Sequence, residues 1–136
     1  MGRGTVTTFV DASALVAVIA EEPDGHLFAA KMRDTAGLIW SAMSCWECIS
    51  ALRGAHGYDI THARHEVALV ADQAGLVLVG IRQRELDWAL DAYLRYGKGR
   101  HPAKLNMGDC FAYACAKANN ADLLYKGNDF AQTDLA

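Results

Sequence analysis

Short runs of β-branched and aromatic residues alternate along this chain with longer stretches whose apolar positions recur every three or four residues. Residues 5–10 form the first run, which reads as a strand that stops at Asp11. Asp11 or Ser13 then caps an Ala/Leu/Val/Ile stretch to residue 20, predicted as a buried helix. Glu21-Glu22-Pro23-Asp24-Gly25 breaks it, and a second helix is expected over 26–33, followed by a short strand at 38–40. Ser44 is expected to cap a helix running through residue 55. The 61–74 stretch has apolar or small residues at Ala63, Val67, Val70 and Ala74, a helical period ended by Gly75. Residues 76–79 are all apolar, the mark of a strand buried on both faces. Residues 82–96 predict another helix, with Leu86, Ala89, Leu90, Tyr93 and Leu94 on one apolar face. A loop over 97–104, a helix over 109–118 and a last strand at 122–125 complete the pattern.

Strands and helices that alternate from end to end predict a three-layer α/β/α sandwich around a central, mainly parallel sheet. At 136 residues the chain is expected to be a single domain, residues 1–136. In such sheets the ligand site lies beyond the carboxyl ends of the strands. Asp11 and Asp129 follow predicted strands, while Glu47 and Asp109 stand near predicted helix starts, so the four acids can converge on that edge.

Those acids change the picture from architecture to chemistry. Each is set among apolar or weakly polar neighbours: Phe9-Val10-Asp11, Cys45-Trp46-Glu47-Cys48, Met107-Gly108-Asp109-Cys110 and Gly127-Asn128-Asp129-Phe130. Burying an unpaired carboxylate costs several kcal/mol, roughly, so a shared partner is required. With hardly a basic residue beside three of them, the pattern points to a hard divalent cation, magnesium or manganese. Such ions activate water and stabilise the transition state of phosphodiester hydrolysis without a nucleophilic side chain. No G-x-S-x-G elbow and no H-E-x-x-H helix is present. Glu47 has a second reading as a helix cap, three residues after Ser44.

The net charge of -3 is unusual for a nucleic-acid binder, but cations held by four acids would offset it. Lys98, Arg100, His101 and Lys104 cluster just before Asp109, where a substrate phosphate can dock; a solvated surface loop is the plainer alternative. Ser13 is either a plain helix cap or a hydroxyl that bonds an acid or a metal-bound water. His62 and His65 read as surface residues. Cys45 and Cys48 have C-x-x-C spacing, yet they fall within an expected helix, and packing accounts for all four cysteines without zinc or disulfides. No apolar stretch reaches eighteen residues and no signal peptide is visible, so a cytoplasmic protein without a membrane span is expected.

Thr8 to Leu15, Glu47, the segment Leu105-Asn106-Met107-Gly108-Asp109-Cys110-Phe111-Ala112-Tyr113-Ala114, and Leu124-Tyr125-Lys126-Gly127-Asn128-Asp129-Phe130 with Thr133-Asp134-Leu135 resemble the PIN-domain ribonucleases. Among these the match is to the VapC toxins of VapBC-type toxin–antitoxin modules, in order, spacing and nearly full length. The resemblance implies a PIN-like fold and a metal-dependent endoribonuclease that cuts tRNA, rRNA or mRNA. It implies Asp11 and Asp109 as metal ligands, Glu47 and Asp129 as further catalytic acids, and Ser13 and Asn128 as supporting residues. Many relatives carry aspartate directly after the glycine of the last motif, where this chain has Asn128 and places Asp129 one residue later. A homodimer and a VapB-type antitoxin partner are also implied.

Three other readings stay open on the residues. An aspartate-nucleophile phosphatase or receiver domain fits poorly, because position 13 is Ser where such phosphatases have a second Asp. A degenerate PIN domain that binds RNA or a protein without cutting is kept alive by Asn128. A redox protein would require reactive thiols at Cys45 and Cys48.

Overall fold

A computed structural model describes residues 7–99 and 101–136. Its elements, in chain order, are β1 (Thr7–Val10), α1 (Ala12–Ile19), α2 (Gly25–Arg33), β2 (Gly37–Trp40) and α3 (Ala42–His56), then α4 (Ile60–Ala74), β3 (Val77–Leu78), α5 (Gln83–Tyr96), α6 (Met107–Ala118) and β4 (Asp122–Leu124). The strands form one parallel sheet in the order β3-β2-β1-β4. The expected start of the first strand at residues 5 and 6 lies outside the described residues.

Side-chain alternation along the strands divides the core into two layers. Phe9 and Ile39 face a cluster built with α5 and α6, including Ala89, Ala92, Ala112, Tyr113 and Ala116. Val10, Leu38, Trp40 and Leu124 face the other way, against Leu15, Val16 and Ile19 of α1 and Leu52, Ala63 and Val67 of α3 and α4. Helices thus cover both faces of the sheet, which is the predicted three-layer architecture.

Two apolar segments depart from expectation. The 76–79 run is not buried on both faces: β3 is an edge strand, and Val77 and Leu78 are each 60% exposed. Only its flanks, Leu76 and Val79, pack against the two clusters. On α5 the buried residues are Glu85, Ala89 and Ala92, while Leu86, Leu90, Tyr93 and Leu94 are exposed. Alanines at the contact let α5 lie close to α6, so the buried stripe is the small-residue side and the leucines turn outward.

The third helix also begins earlier than expected. Ser41, not Ser44, is its cap: the Ser41 hydroxyl accepts from the Ser44 amide at 3.2 Å. Ser44 is therefore inside the helix, and Glu47 lies a full turn beyond the capping-box position. Glu47 therefore does not cap α3, and its carboxylate is free for other use. The helix expected from residue 109 likewise starts at Met107, with Asn106 as cap.

Candidate active site

The carboxyl ends of the neighbouring strands β1 and β4 set the floor of the site. β1 ends at Val10, and the Asp11 amide continues the ladder by donating to the Leu124 carbonyl of β4 at 2.9 Å. Asp11 then caps α1: its Oδ2 accepts from the Ser13 amide at 3.0 Å and from the Ser13 hydroxyl at 2.5 Å. Ser13 is thus not the cap but a residue that holds the capping acid. Its Oγ also accepts from the Lys126 amide at 2.9 Å, tying the turn after β4 to Asp11.

Asp109 is held by a different local device. The Asn106 side chain accepts from the Asp109 amide at 2.9 Å, and Asp109 Oδ2 accepts from the Asn106 amide at 3.1 Å, a reciprocal capping box. Both aspartates therefore spend one oxygen on a helix start, which fixes their orientation and leaves the other oxygen available. Gly108, the residue before Asp109, lies against the Glu47 carboxylate. A Cβ at residue 108 would lie 1.7 Å from Glu47 Oε2, so only glycine lets the Glu47 carboxylate reach this place.

The electrostatics show that the four predicted acids share one neighbourhood. Burial raises the Asp11 carboxyl, against the bonds from Ser13, and the charge of Asp129 raises it further. Burial pushes Glu47 up to about 7, with added repulsion from Asp11 and Asp109. Asp109 is pushed up to about 6, again mainly by burial, with Asp129 and Asp11 adding to it and the Asn106 amide opposing it. Among the described residues no cationic side chain lowers any of the three. Glu47 accepts no hydrogen bond from any described residue. Asp129 is itself exposed, on the turn that begins at Gly127, and its charge reaches both aspartates.

This donor set suits a divalent cation. Mutually repelling carboxylates with no counter-charge among the described residues are held ionised most simply by a metal. Among the described residues no three His, Cys, Asp or Glu side chains form a ready-made cluster. Magnesium does not need one, because it keeps several waters and is commonly held by one or two carboxylates plus substrate phosphates.

The remaining candidates separate clearly. Lys98 and Lys104 are exposed on a loop closed by the Lys98 amide on the Leu105 carbonyl (3.0 Å) and the Leu105 amide on the Tyr96 carbonyl (2.9 Å). Lys104 stands two residues before Asn106, and Arg100 lies outside the described residues. His101 serves the loop itself, its Nδ1 accepting from the Ala103 amide at 3.0 Å. His62 stacks on Tyr58, with ring centroids 4.5 Å apart, so its ring belongs to the start of α4. Cys48, Cys110 and Cys115 are buried and free, and burial pushes their thiols up to about 12, 11 and 11. Cys45 is raised too, so the C-x-x-C pair carries no activated thiolate and the redox reading falls. Trp40 is buried, whereas Trp46 is open to water.

Sequence reading did not single out Lys126. Its Nζ pairs with Glu22 at 2.6 Å and Asp24 at 2.9 Å, and Glu22 also meets His56 Nε2 at 2.9 Å. This network clamps the α1–α2 turn and the end of α3 to the segment that carries Asn128 and Asp129. Asp134 does the same from the other side, accepting from Tyr113 Oη at 2.7 Å and pairing with Lys117, both on α6. The segment bearing Asp129 is thereby fixed relative to α6, the helix that bears Asp109.

A fold and a carboxylate edge of this kind define a PIN domain, and residues 8–135 match the PIN domain family. Ribonuclease VapC of Mycolicibacterium smegmatis is 39% identical over 127 residues, covering 93% of this chain and 96% of the relative. Ribonuclease VapC30 of Mycobacterium tuberculosis is also 39% identical over 127 residues, covering 93% and 95%. Among solved structures, Mycobacterium tuberculosis VapC20, described as a sarcin-ricin loop cleaving toxin, superposes with a TM-score of 0.76 at 14% identity, covering 95% of this chain and 96% of that one. VapBC2 from Rickettsia felis, bound to a DNA fragment from its promoter, gives 0.71 at 11% identity, covering 96% and 95%. The chain belongs to the PIN-domain family, and the curated relatives that it matches over almost their whole length are VapC ribonucleases.

Proposed function

We propose that this protein is a divalent-metal-dependent endoribonuclease and the toxin of a toxin–antitoxin pair, with Asp11, Glu47, Asp109 and Asp129 as its catalytic acids. One observation carries the assignment of the site: burial and mutual repulsion raise Asp11, Glu47 and Asp109 together at one sheet edge, with no cationic side chain among the described residues to relieve them. The relatives' names supply the substrate class.

In this reading Asp11 and Asp109 are the principal ligands of magnesium or manganese. Held there, such an ion would supply a lowered pKa for an attacking water and charge to offset that of the phosphodiester. Ser13 keeps the Asp11 carboxylate aimed by donating to its Oδ2, and the Asn106 amide does so for Asp109 Oδ2. Glu47, fixed by the space at Gly108, completes the acidic set. Asp129 supplies the fourth charge and Asn128 a neutral amide beside it. Lys98, Arg100 and Lys104 take substrate phosphates.

The reading includes a cytoplasmic setting, a homodimer and a VapB-type antitoxin. A homodimer is supported by the outward leucines of α5, an apolar face that a second copy would cover. The antitoxin is supported by structural relatives solved as toxin–antitoxin complexes. No helix among the described residues is long and apolar enough to cross a membrane.

The test is cleavage of total RNA by purified, antitoxin-free protein with magnesium or manganese and with EDTA. Metal-dependent cleavage, lost in Asp11→Asn and Asp109→Asn, is the expected result. RNA left intact under every metal condition would favour a PIN domain that binds without cutting, the reading that Asn128 suggests. Asp129→Asn and Asn128→Ala in the same assay identify which of the two acts.

A further inference from the structure

Trp46 is 76% exposed although it stands one residue before Glu47. An indole left in water forgoes the burial that usually justifies its size. On the same outward side of α3, four and seven residues on, lie Ser50 and Arg53, both exposed. Arg53 makes no ion pair with a described residue. At about 1.5 Å of rise per residue it sits roughly 10 Å beyond Trp46 along the helix axis. Met107, 69% exposed, opens α6 directly before Gly108, whose α-carbon abuts the Glu47 carboxylate. On each of the two helices that meet at this contact, the residue just before it is therefore large, apolar and open to solvent.

We infer that Trp46 is a stacking platform for a base of the RNA next to the cleaved phosphodiester, with Arg53 taking a backbone phosphate further along α3. The inference rests on the nuclease reading above. An aromatic face followed by a free cation is the arrangement that holds single-stranded nucleic acid, because every unstacked base offers a π-face and every nucleotide a phosphate. A base inside a duplex is already stacked and cannot use such a platform. A protein partner would instead favour a contiguous apolar patch; Met107 of α6 is apolar, but the exposed residues on this side of α3, Ala42, Ser50 and Arg53, are small, polar or charged. Trp46 is thus a specificity residue for unpaired loops, placed to orient the nucleotide whose phosphate enters the acidic cleft.

The experiment maps the cleavage sites in total RNA and then uses a short oligonucleotide spanning one of them. Steady-state kinetics are measured for the wild type, Trp46→Ala and Trp46→Phe, with the intact oligonucleotide and with single abasic nucleotides flanking the cut. Trp46→Ala is expected to raise KM about tenfold, the size of one lost base stack, and to leave kcat within about twofold. Trp46→Phe recovers most of the loss. One abasic position reproduces the KM rise in the wild type and adds nothing in Trp46→Ala, the signature of a direct pairwise contact. An unchanged KM in Trp46→Ala, or an abasic penalty that persists undiminished in that variant, overturns the platform. An altered oligomeric state with unchanged KM also overturns it and assigns Trp46 to a protein contact. A second measurement is independent of catalysis: in EDTA, a short single-stranded RNA of mixed sequence quenches the fluorescence of the wild type, its duplex does not, and Trp46→Ala loses the response. If the wild type cleaves nothing with either metal, the nuclease reading fails alone. Quenching that depends on Trp46 then still supports the platform, and absent quenching overturns it.

Discussion

Two glutamates of this chain occupy opposite situations. Glu85, at the start of α5, is only 4% exposed yet well provided for. Its Oε1 accepts from the Arg82 amide at 2.9 Å, and its Oε2 accepts from Arg84 Nε and Nη2 at 3.1 and 3.0 Å. The Arg82 amide, with Arg84 beside it, holds the Glu85 carboxyl below its ordinary range. Glu47 receives no such bond, faces two aspartates, and is pushed up to about 7. The fold surrounds the acid that caps a helix with donors and leaves the acid in the cleft wanting a cation. A half-buried carboxylate without a partner is costly to stability, and on the proposed reading the missing charge arrives with the bound cation.

The comparison breaks most visibly in activity. Asp11→Asn and Asp109→Asn should each lower metal-dependent cleavage by at least about a hundredfold, read as initial rates on a fluorescent RNA, whereas Glu85→Gln should leave the rate essentially unchanged. Asn preserves the acceptor oxygen for Ser13 or Asn106, so circular dichroism of both variants should match the wild type. Equal losses in Glu85→Gln and the aspartate variants would end the distinction.

A second effect isolates position from charge. Gly108→Ala keeps every acid but places a methyl group where Glu47 Oε2 now lies. The obstacle is the flexible end of a side chain, and alanine is the better helix former by about 1 kcal/mol. The melting temperature should therefore hold or rise slightly while the cleavage rate falls about tenfold or more as Glu47 is displaced. A rate equal to wild type would show that Glu47 has no fixed position in the site.

The pH dependence of the metal-free protein sharpens the contrast further. Glu47 has an ordinary value of 4.5 and Asp109 one of 3.8, but in the folded chain they stand near 7 and 6. Between the ordinary and raised values the folded state keeps protons that the unfolded chain has released. Stability contributed by protonation is therefore fully present at low pH and is lost as pH rises through about 4 to 7. In EDTA the melting temperature should fall over this window, and saturating magnesium should restore it at the upper end. Glu47→Gln should flatten part of the fall. A melting temperature that rises with pH in EDTA would contradict the carboxylate environment described here.

The smallest effect belongs to the satisfied glutamate. Glu85→Ala removes a capping box and should cost about 1 kcal/mol, a few degrees in melting temperature, measured by calorimetry. It should do so equally with and without metal. Magnesium-dependent stabilisation that changed in Glu85→Ala would tie α5 to the cleft, which the comparison denies.

Much of this molecule is legible in its residues because strand and helix periods differ and because an acid beside Val or Cys stands out. Asp11 and Asp109 stand out from their neighbours; Asp11 proves to cap α1, and Asp109 closes the capping box that Asn106 opens on α6. Glu47 was ambiguous for a local reason: Ser41 and Ser44 are both competent caps, and only the path of the chain after β2 selects the first. The outward leucines of α5 and the open edge at β3 could not be read, since hydropathy says which residues are apolar and not which neighbour covers them. Lys126 escaped for a third reason. Its partners Ser13, Glu22 and Asp24 lie more than a hundred residues away in sequence, and no local pattern announces a contact of that span.

The sheet order has one more consequence, for timing. The strand synthesised first lies in the middle, and the strand synthesised last seals its flank. While the chain is still emerging, β1 has an open edge, the Asp11 amide has no Leu124 carbonyl to bond, and Ser13 has no Lys126 amide to receive. Asp129 is not yet present either. On the proposed reading of the site, a growing chain therefore carries no assembled cleft beside the ribosome that is making it, and becomes capable of cutting RNA only after its final strand has docked.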